Sequence, residues 1–172
     1  MIQSSTGLIH TVAAVCALLT GIVIFTCPKA TFFHRTLGYA YSISMTVMLG
    51  TAFFIYHLTK SFNLLHVFAI VSFPPLVLGF SAAFARGHGW LQRHYQWMCY
   101  SYMGLCAAFV AETTTRILMP YLVTHYQIRS MAWFWIIVGV CSFGIFRTGR
   151  WLMHRNKSLV ARFQLKQAAL TN

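Results

Sequence analysis

Five apolar runs divide the chain, at roughly residues 8–27, 37–59, 64–85, 95–119 and 131–147. Each has the length, about 20 residues, at which a helix crosses the hydrocarbon core of a bilayer. The stretches between them are short: "CPKATFFHR", "TKSFNLL", "RGHGWLQR" and "YLVTHYQIRS". Short connections force neighbouring helices antiparallel. The pattern therefore predicts an all-α integral membrane protein: an up-down bundle of four core transmembrane helices plus a fifth span. Pro74-Pro75 removes two helical N–H donors and predicts a kink in the third span. The tail "WLMHRNKSLVARFQLKQAALTN" mixes basic and apolar residues at helical spacing, which predicts a basic amphipathic helix on the membrane face or, in the alternative, a segment that binds a partner subunit. The domain reading is thus 1–150, a five-span helical domain, and 151–172, a cytoplasmic tail.

Composition agrees with lipid as the solvent. Hydrophobic residues make up 58% of the 172 positions and charged residues only 8%, against about 25% charged in soluble domains. The net charge of +12 does not imply nucleic acid, because the cations sit at span ends rather than along one soluble face. Lys29, Arg35, Arg86, Arg93, Arg147, Arg150, Arg155, Lys157, Arg162 and Lys166 fall on one side of the predicted bundle. Lys60, Arg116 and Arg129 fall on the other. The positive-inside rule then places residue 1 outside and residue 172 in the cytoplasm, in what is expected to be a bacterial inner membrane. The N-terminal run lacks a cationic leader and a small-residue cleavage site, so it reads as an uncleaved span. Cys16, Cys27, Cys99, Cys106 and Cys141 form no C-x-x-C pair and read as free thiols acting as small apolar residues.

Eight histidines in so apolar a chain call for a reason. His10, His34, His66 and His94 each lie at or near the start of one of the first four spans. Because the spans alternate in direction, His10 and His66 fall near the outer surface, and His34 and His94 near the inner one. Low-spin haem iron takes two axial ligands, often imidazoles, and opposed helices of a bundle can supply them. His10 shares its helical face with Ala13, Ala14, Ala17 and Gly21; His34 is followed along its stripe by Gly38, Tyr41 and Met45. Membrane-interface histidines and close helix packing account for the same residues without a ligand. His57 and His88 lie at the two levels as substitute ligands, and His125 and His154 read as interfacial. Zinc at His34, His88 and His94 is a further option, with no carboxylate or thiol set to complete it.

The stretch "RHYQWMCYSYMGLCAAFVAETTTRI", residues 93–117, carries both His94 and Glu112, the one acidic residue of the chain. Glu112 follows His94 by 18 residues, five turns, so the two share a helical face. Arg116 stands one turn beyond Glu112 and is placed to pair with it. An ionisable residue inside a span is a functional candidate. Glu112 is placed to orient an axial imidazole of the outer level, to relay protons for a bound quinol, or simply to form an ion pair with Arg116. Arg35 and Arg93 on the inner side, and Arg116 on the outer, suit haem propionates or serve as ordinary membrane-edge anchors.

"HRTLGYAYSISM" at 34–45 and the stretch at 93–117 resemble the signatures of a bacterial family of predicted multi-pass membrane proteins, domain-of-unknown-function family 2306. The shared features are a histidine–basic pair followed by Leu-Gly and an aromatic, then a basic–His, Trp-Met, Tyr and terminal Arg pattern. His10 and His66 match span-initial histidines more loosely, and the similarity covers about residues 7–120. The resemblance implies fold and topology. The alternation of paired histidines is also similar in architecture to transmembrane di-haem cytochromes b and to haem A synthase.

The sequence thus leads to a haem b-binding membrane protein carrying electrons across or within the bilayer, with quinol or metal as a linked partner. His10 and His66 would hold an outer haem, and His34 and His94 an inner one. The alternative is a non-catalytic accessory or assembly subunit of a membrane respiratory complex.

Overall fold

The structure, a computed structural model, describes residues 5–55, 64–128, 130–156, 158 and 161. Helices account for nearly all of them: α1 (Ser5–Thr26), α2 (Phe32–Ala52), α3 (Leu64–Ala85), α4 (Trp90–Thr113), α5 (Met119–Tyr126) and α6 (Met131–Arg155). A π-helical stretch, Thr114–Leu118, joins α4 to α5. No strand occurs among the described residues.

Local chemistry sets the ends. Thr31 stands before α2 with extended backbone, and its Oγ1 accepts the amide of His34 at 3.1 Å, satisfying a donor that the first turn leaves open. Ser130 does the same for α6, accepting from Ala132 at 3.3 Å. The last carbonyls of α1 receive a cation instead: Lys29 Nζ donates to Ile24 O and to Phe25 O, the latter at 3.1 Å. Partial burial of that ammonium pulls its pKa below the ordinary lysine value. α5 ends where Gln127 takes the left-handed conformation and returns its amide to Leu122 O.

Three helices are long and apolar enough to cross a membrane: Ser5–Thr26, His66–Ala85 and Met131–Arg155, with mean hydropathies of 2.4, 2.0 and 1.5. The sequence reading expected five spans. α2 and α4 have the length, 21 and 24 residues, but carry more polar side chains. Much of that polarity points inward, since Tyr41, Ser42 and Ser101 are buried and Tyr41 Oη meets Ser101 Oγ at 2.9 Å. Helices that satisfy polar groups on one another need less apolar sequence. The exposed positions remain apolar: Leu19, Ile43, Val71, Phe84, Val140 and Phe143 are typical.

Several boundaries differ from the apolar runs. α2 starts at Phe32 and stops at Ala52 rather than spanning 37–59. The helix begun by α4 continues through the π stretch to Tyr126, so most of "YLVTHYQIRS" is helix rather than connection. α6 passes residue 150 and runs to Arg155, whereas most of the amphipathic tail, together with His57, Lys60 and Arg129, lies outside the described residues. Pro74 and Pro75 sit inside an α3 that stays helical on both sides of them.

α1 packs extensively along α2, and α3 along α4; α2 meets α3, and α4 meets α1 more sparingly, with α6 laid on α4. α1 and α3 therefore lie on a diagonal of this arrangement rather than along a shared seam. The shared core includes Ala13, Ala17, Tyr41, Met45, Leu49 and Leu105. The two ends of this arrangement differ in tightness. Towards the His34 end, a Cβ on Gly79 would lie 2.7 Å from Met98 Sδ and 3.0 Å from the Met98 backbone nitrogen. A Cβ on Gly21 would run into the Tyr102 ring. Glycine is required at these places by close approach. Towards the His10 end the helices part around a cavity.

Candidate functional site

The cavity is walled by α1, α2, α3, α4 and the π stretch. Ala14, Leu18, Met45, Leu49, Ala69 and Leu105 make its apolar lining. Its polar members are His10, His66, Ser72, Glu112, Thr115 and Arg116. His66, near the start of α3, is only 2% exposed, and its ring lies 6.1 Å from that of Phe53.

The His10 ring is fixed through its Nδ1. Its Nδ1 lies 3.0 Å from Met48 O and 3.1 Å from Thr51 Oγ1. A carbonyl can only accept. The Thr51 hydroxyl spends its own proton on the carbonyls of Val47, at 2.7 Å, and Met48, at 3.0 Å. Both neighbours therefore require a proton on Nδ1; Nε2 then has its lone pair in the neutral ring and a second proton in the imidazolium. That nitrogen faces Glu112 Oε2 at 3.7 Å, within ion-pair reach of a protonated ring though too far for a hydrogen bond. The other carboxylate oxygen, Oε1, takes Nε–H of Arg116 at 2.8 Å. This ion pair leaves the remaining guanidinium donors uncommitted by it.

The π stretch follows directly. The Met119 amide bonds to Thr114 O, one residue further back than in an α helix. Thr115 Oγ1 donates to Ala111 O at 2.8 Å, supplying a bond where the backbone ladder is out of step, and Thr114 is buried. The "TTT" run thus furnishes hydroxyls where the helix changes register.

At the other end, His94 Nδ1 lies 2.8 Å from Gly79 O, so it too carries its proton on Nδ1. His34 Nδ1 faces Cys27 Sγ at 3.8 Å, and His94 stands within electrostatic reach of His34. Arg35 is exposed. Arg93 is also exposed, and its Nη2 donates to His88 O at 2.9 Å. His88 and His154 are exposed, and His125 stacks on Tyr121 at 4.3 Å. Among the described residues no three His, Cys, Asp or Glu side chains are grouped to hold a metal ion. The zinc option at His34, His88 and His94 is thereby not assembled. All five cysteines are free.

The structure therefore gathers His10, His66, Glu112 and Arg116 at one cavity, brings His34 near His94 without these four, and leaves Arg35 and Arg93 at the surface. Thr51 and the Met48 carbonyl, which fix the His10 ring, had no sequence signal. They lie 41 and 38 residues away on another helix.

A family model described as "Predicted membrane protein (DUF2306)" matches residues 7–162. No curated protein and no solved structure matches the chain.

Proposed function

The chain belongs to this family of membrane proteins, and from that footing we propose that it is a haem b-binding electron carrier of the bilayer, with His10 and His66 as axial ligands. One observation carries the reading: His10, its Nδ1–H held by Met48 O and Thr51 Oγ1, and His66 line one cavity. Axial imidazoles are commonly oriented in this way, through the distal ring nitrogen. The two histidines come from α1 and α3, which lie on a diagonal of the bundle.

The donor set suits the group, two imidazoles in a largely apolar lining, but the space does not: the cavity of about 100 Å³ is smaller than a macrocycle, and α1 to α4 would have to part to admit one. Arg116, with its side chain 41% exposed, is placed to receive a propionate at the rim. When bound, the haem supplies one-electron chemistry. His10 and His66 would hold it, Met48 O and Thr51 would keep the His10 ring oriented through Nδ1, and the apolar walls would exclude water. The close packing at Gly79 and Gly21 favours one haem at the His10 end over the pair expected from the symmetry of the four histidines.

Purified, haem-replete protein tests this within one preparation. A reduced-minus-oxidised spectrum of b type and about one haem per chain by pyridine haemochrome are expected, because two imidazoles complete one iron's axial positions. Two haems would restore His34 and His94 as a second ligand pair. A chain that takes up none is better read as an accessory subunit, and the proposal falls.

The orientation belongs to the same proposal. α1 to α4 form an up-down core, α6 makes the fifth crossing, and the charge asymmetry puts the His10 end outside the bacterial inner membrane. Phosphatase fusions should be active after Ser61 and inactive after Gly89. The opposite pattern would place the cavity on the cytoplasmic side.

A further inference from the structure

We propose that the end of the bundle opposite Glu112 binds the headgroups of anionic phospholipids, seated between the start of α4 and the end of α6. Such a surface needs no cofactor at the other end. Charge balance is the first ground. Arg35, Arg86, Arg93, Arg147, Arg150 and Arg155 lie at this end, and every one of them is exposed. The sequence holds one acidic side chain, Glu112, and that carboxylate is at the far end, bonded to Arg116 at 2.8 Å. No side-chain carboxylate is left to balance these arginines. Lys29, at the same end, differs, because the last carbonyls of α1 hold its ammonium.

The packing brings these groups to one level. Cys27, just past α1, meets His34 near the start of α2. Gly79 in the second half of α3 lies against Met98 in the first half of α4. The Tyr95 hydroxyl of α4 and the Asn156 side chain beyond α6 are hydrogen-bonded. The start of α4 and the end of α6 therefore border each other, and each carries an arginine laid on an indole. The guanidinium carbon of Arg86 is 5.8 Å from the centre of the Trp90 ring, and that of Arg155 is 5.3 Å from Trp151. Both distances are in cation–π range.

This pairing suits a lipid in two ways. A guanidinium stacked on a ring keeps its edge N–H donors, and paired donors are what a phosphate takes. Indole is the side chain that settles at the level of the headgroups. The neighbouring positions continue into the acyl region, since Phe84, two residues before Arg86, and Leu152, beside Trp151, are exposed and apolar. A soluble phosphate ester would use only the cations. An anionic phospholipid uses the cations, the rings and the apolar flank together, and each arginine near such a headgroup strengthens binding about fivefold.

Full-length protein in a non-ionic detergent is titrated with dioleoyl phosphatidylglycerol and, separately, with dioleoyl phosphatidylcholine, which has the same chains and no net charge. Native mass spectrometry counts the lipids held by each chain. Wild type should bind the phosphatidylglycerol about tenfold or more tightly than the phosphatidylcholine. Arg86→Gln with Arg155→Gln should weaken phosphatidylglycerol about 25-fold, at about fivefold for each cation, and leave phosphatidylcholine unchanged. Arg86→Lys with Arg155→Lys keeps the charge but not the forked donors, and should fall between wild type and the glutamine pair. Glycerol 3-phosphate at the concentration of the lipid should displace none of it. If the glutamine pair does not elute as a folded protein, Arg147→Gln with Arg150→Gln on the exposed side of α6 is read in its place. Equal affinities for the two lipids, undiminished phosphatidylglycerol binding in the deciding glutamine pair, or displacement by equimolar glycerol 3-phosphate overturns the proposal.

Discussion

Replacing His66 by alanine should abolish haem binding while leaving a folded, helical protein. The imidazole is nearly fully buried at 2% exposure, and it lines the cavity on the wall that α3 contributes. Methyl in place of imidazole would remove the proposed ligand and supply no new donor. Haem content should fall from about one per chain to a small fraction of that, or the remaining haem should turn high-spin, as expected for an iron with one protein ligand. His10→Ala should behave in the same way. His94→Ala provides the contrast, because it removes the bond to Gly79 O at the tight end and should cost stability with haem content unchanged. Helical circular dichroism and a sharp elution profile distinguish ligand loss from unfolding. Full haem retention in both His66→Ala and His10→Ala would remove the cavity from the account.

The second large effect is expected at Gly79. Valine there would need its Cβ 3.0 Å from the Met98 backbone nitrogen, before its two methyl groups are placed. A flexible thioether can swing away, but a helix backbone can yield only by separating α3 from α4 along their seam. Overpacking of a close-packed interior costs about 1–3 kcal/mol when side chains can adjust, so a contact against backbone should lie at the upper end of that range or beyond. The carbonyl of the same residue holds His94, and displacing it would disturb that bond as well. A large fall in thermal midpoint is expected for Gly79→Val. Gly149→Ala is the comparison, since the three atoms nearest its Cβ all belong to the Met103 side chain, and its loss should be much smaller. Equal stabilities for the two would mean that the α3–α4 approach is not what limits the fold.

Some of this was legible in the chain and some was not. Apolar run length identified α1, α3 and α6 as helices able to cross a membrane, and the all-helical class followed from it. Counting turns placed Glu112 and Arg116 one turn apart, where the structure shows an ion pair. Alternation of the spans placed His10 and His66 at one end, and both line the same cavity. The two histidine pairs, equivalent along the sequence, meet different surroundings in the fold. Whether a level is open or closed depends on which side chain meets a glycine across a helix seam, as Met98 meets Gly79. No pattern within one helix encodes that partner. The fixing of the His10 ring through Nδ1 was hidden for the same reason, since Thr51 and Met48 are neighbours only after α1 and α2 pack. The helical extension to Tyr126 was missed because "YLVTHY" has the polarity of a connection, and only the fold shows its backbone closing on itself.

The π stretch at Thr114–Leu118 has a consequence for anyone drawing a helical wheel of this region. One extra residue in the turn shifts the phase of everything beyond it by about 100°, the angle that separates neighbours on an α helix. His94 and Glu112 both precede the shift, so the 18-residue count between them still describes a shared face. Tyr121 and His125 follow it, and a wheel continued without interruption from Trp90 would assign them to the wrong quadrant. The long helix thus consists of two wheels rather than one, and substitutions designed in α5 from the α4 phase would land a quarter-turn away from their intended neighbours.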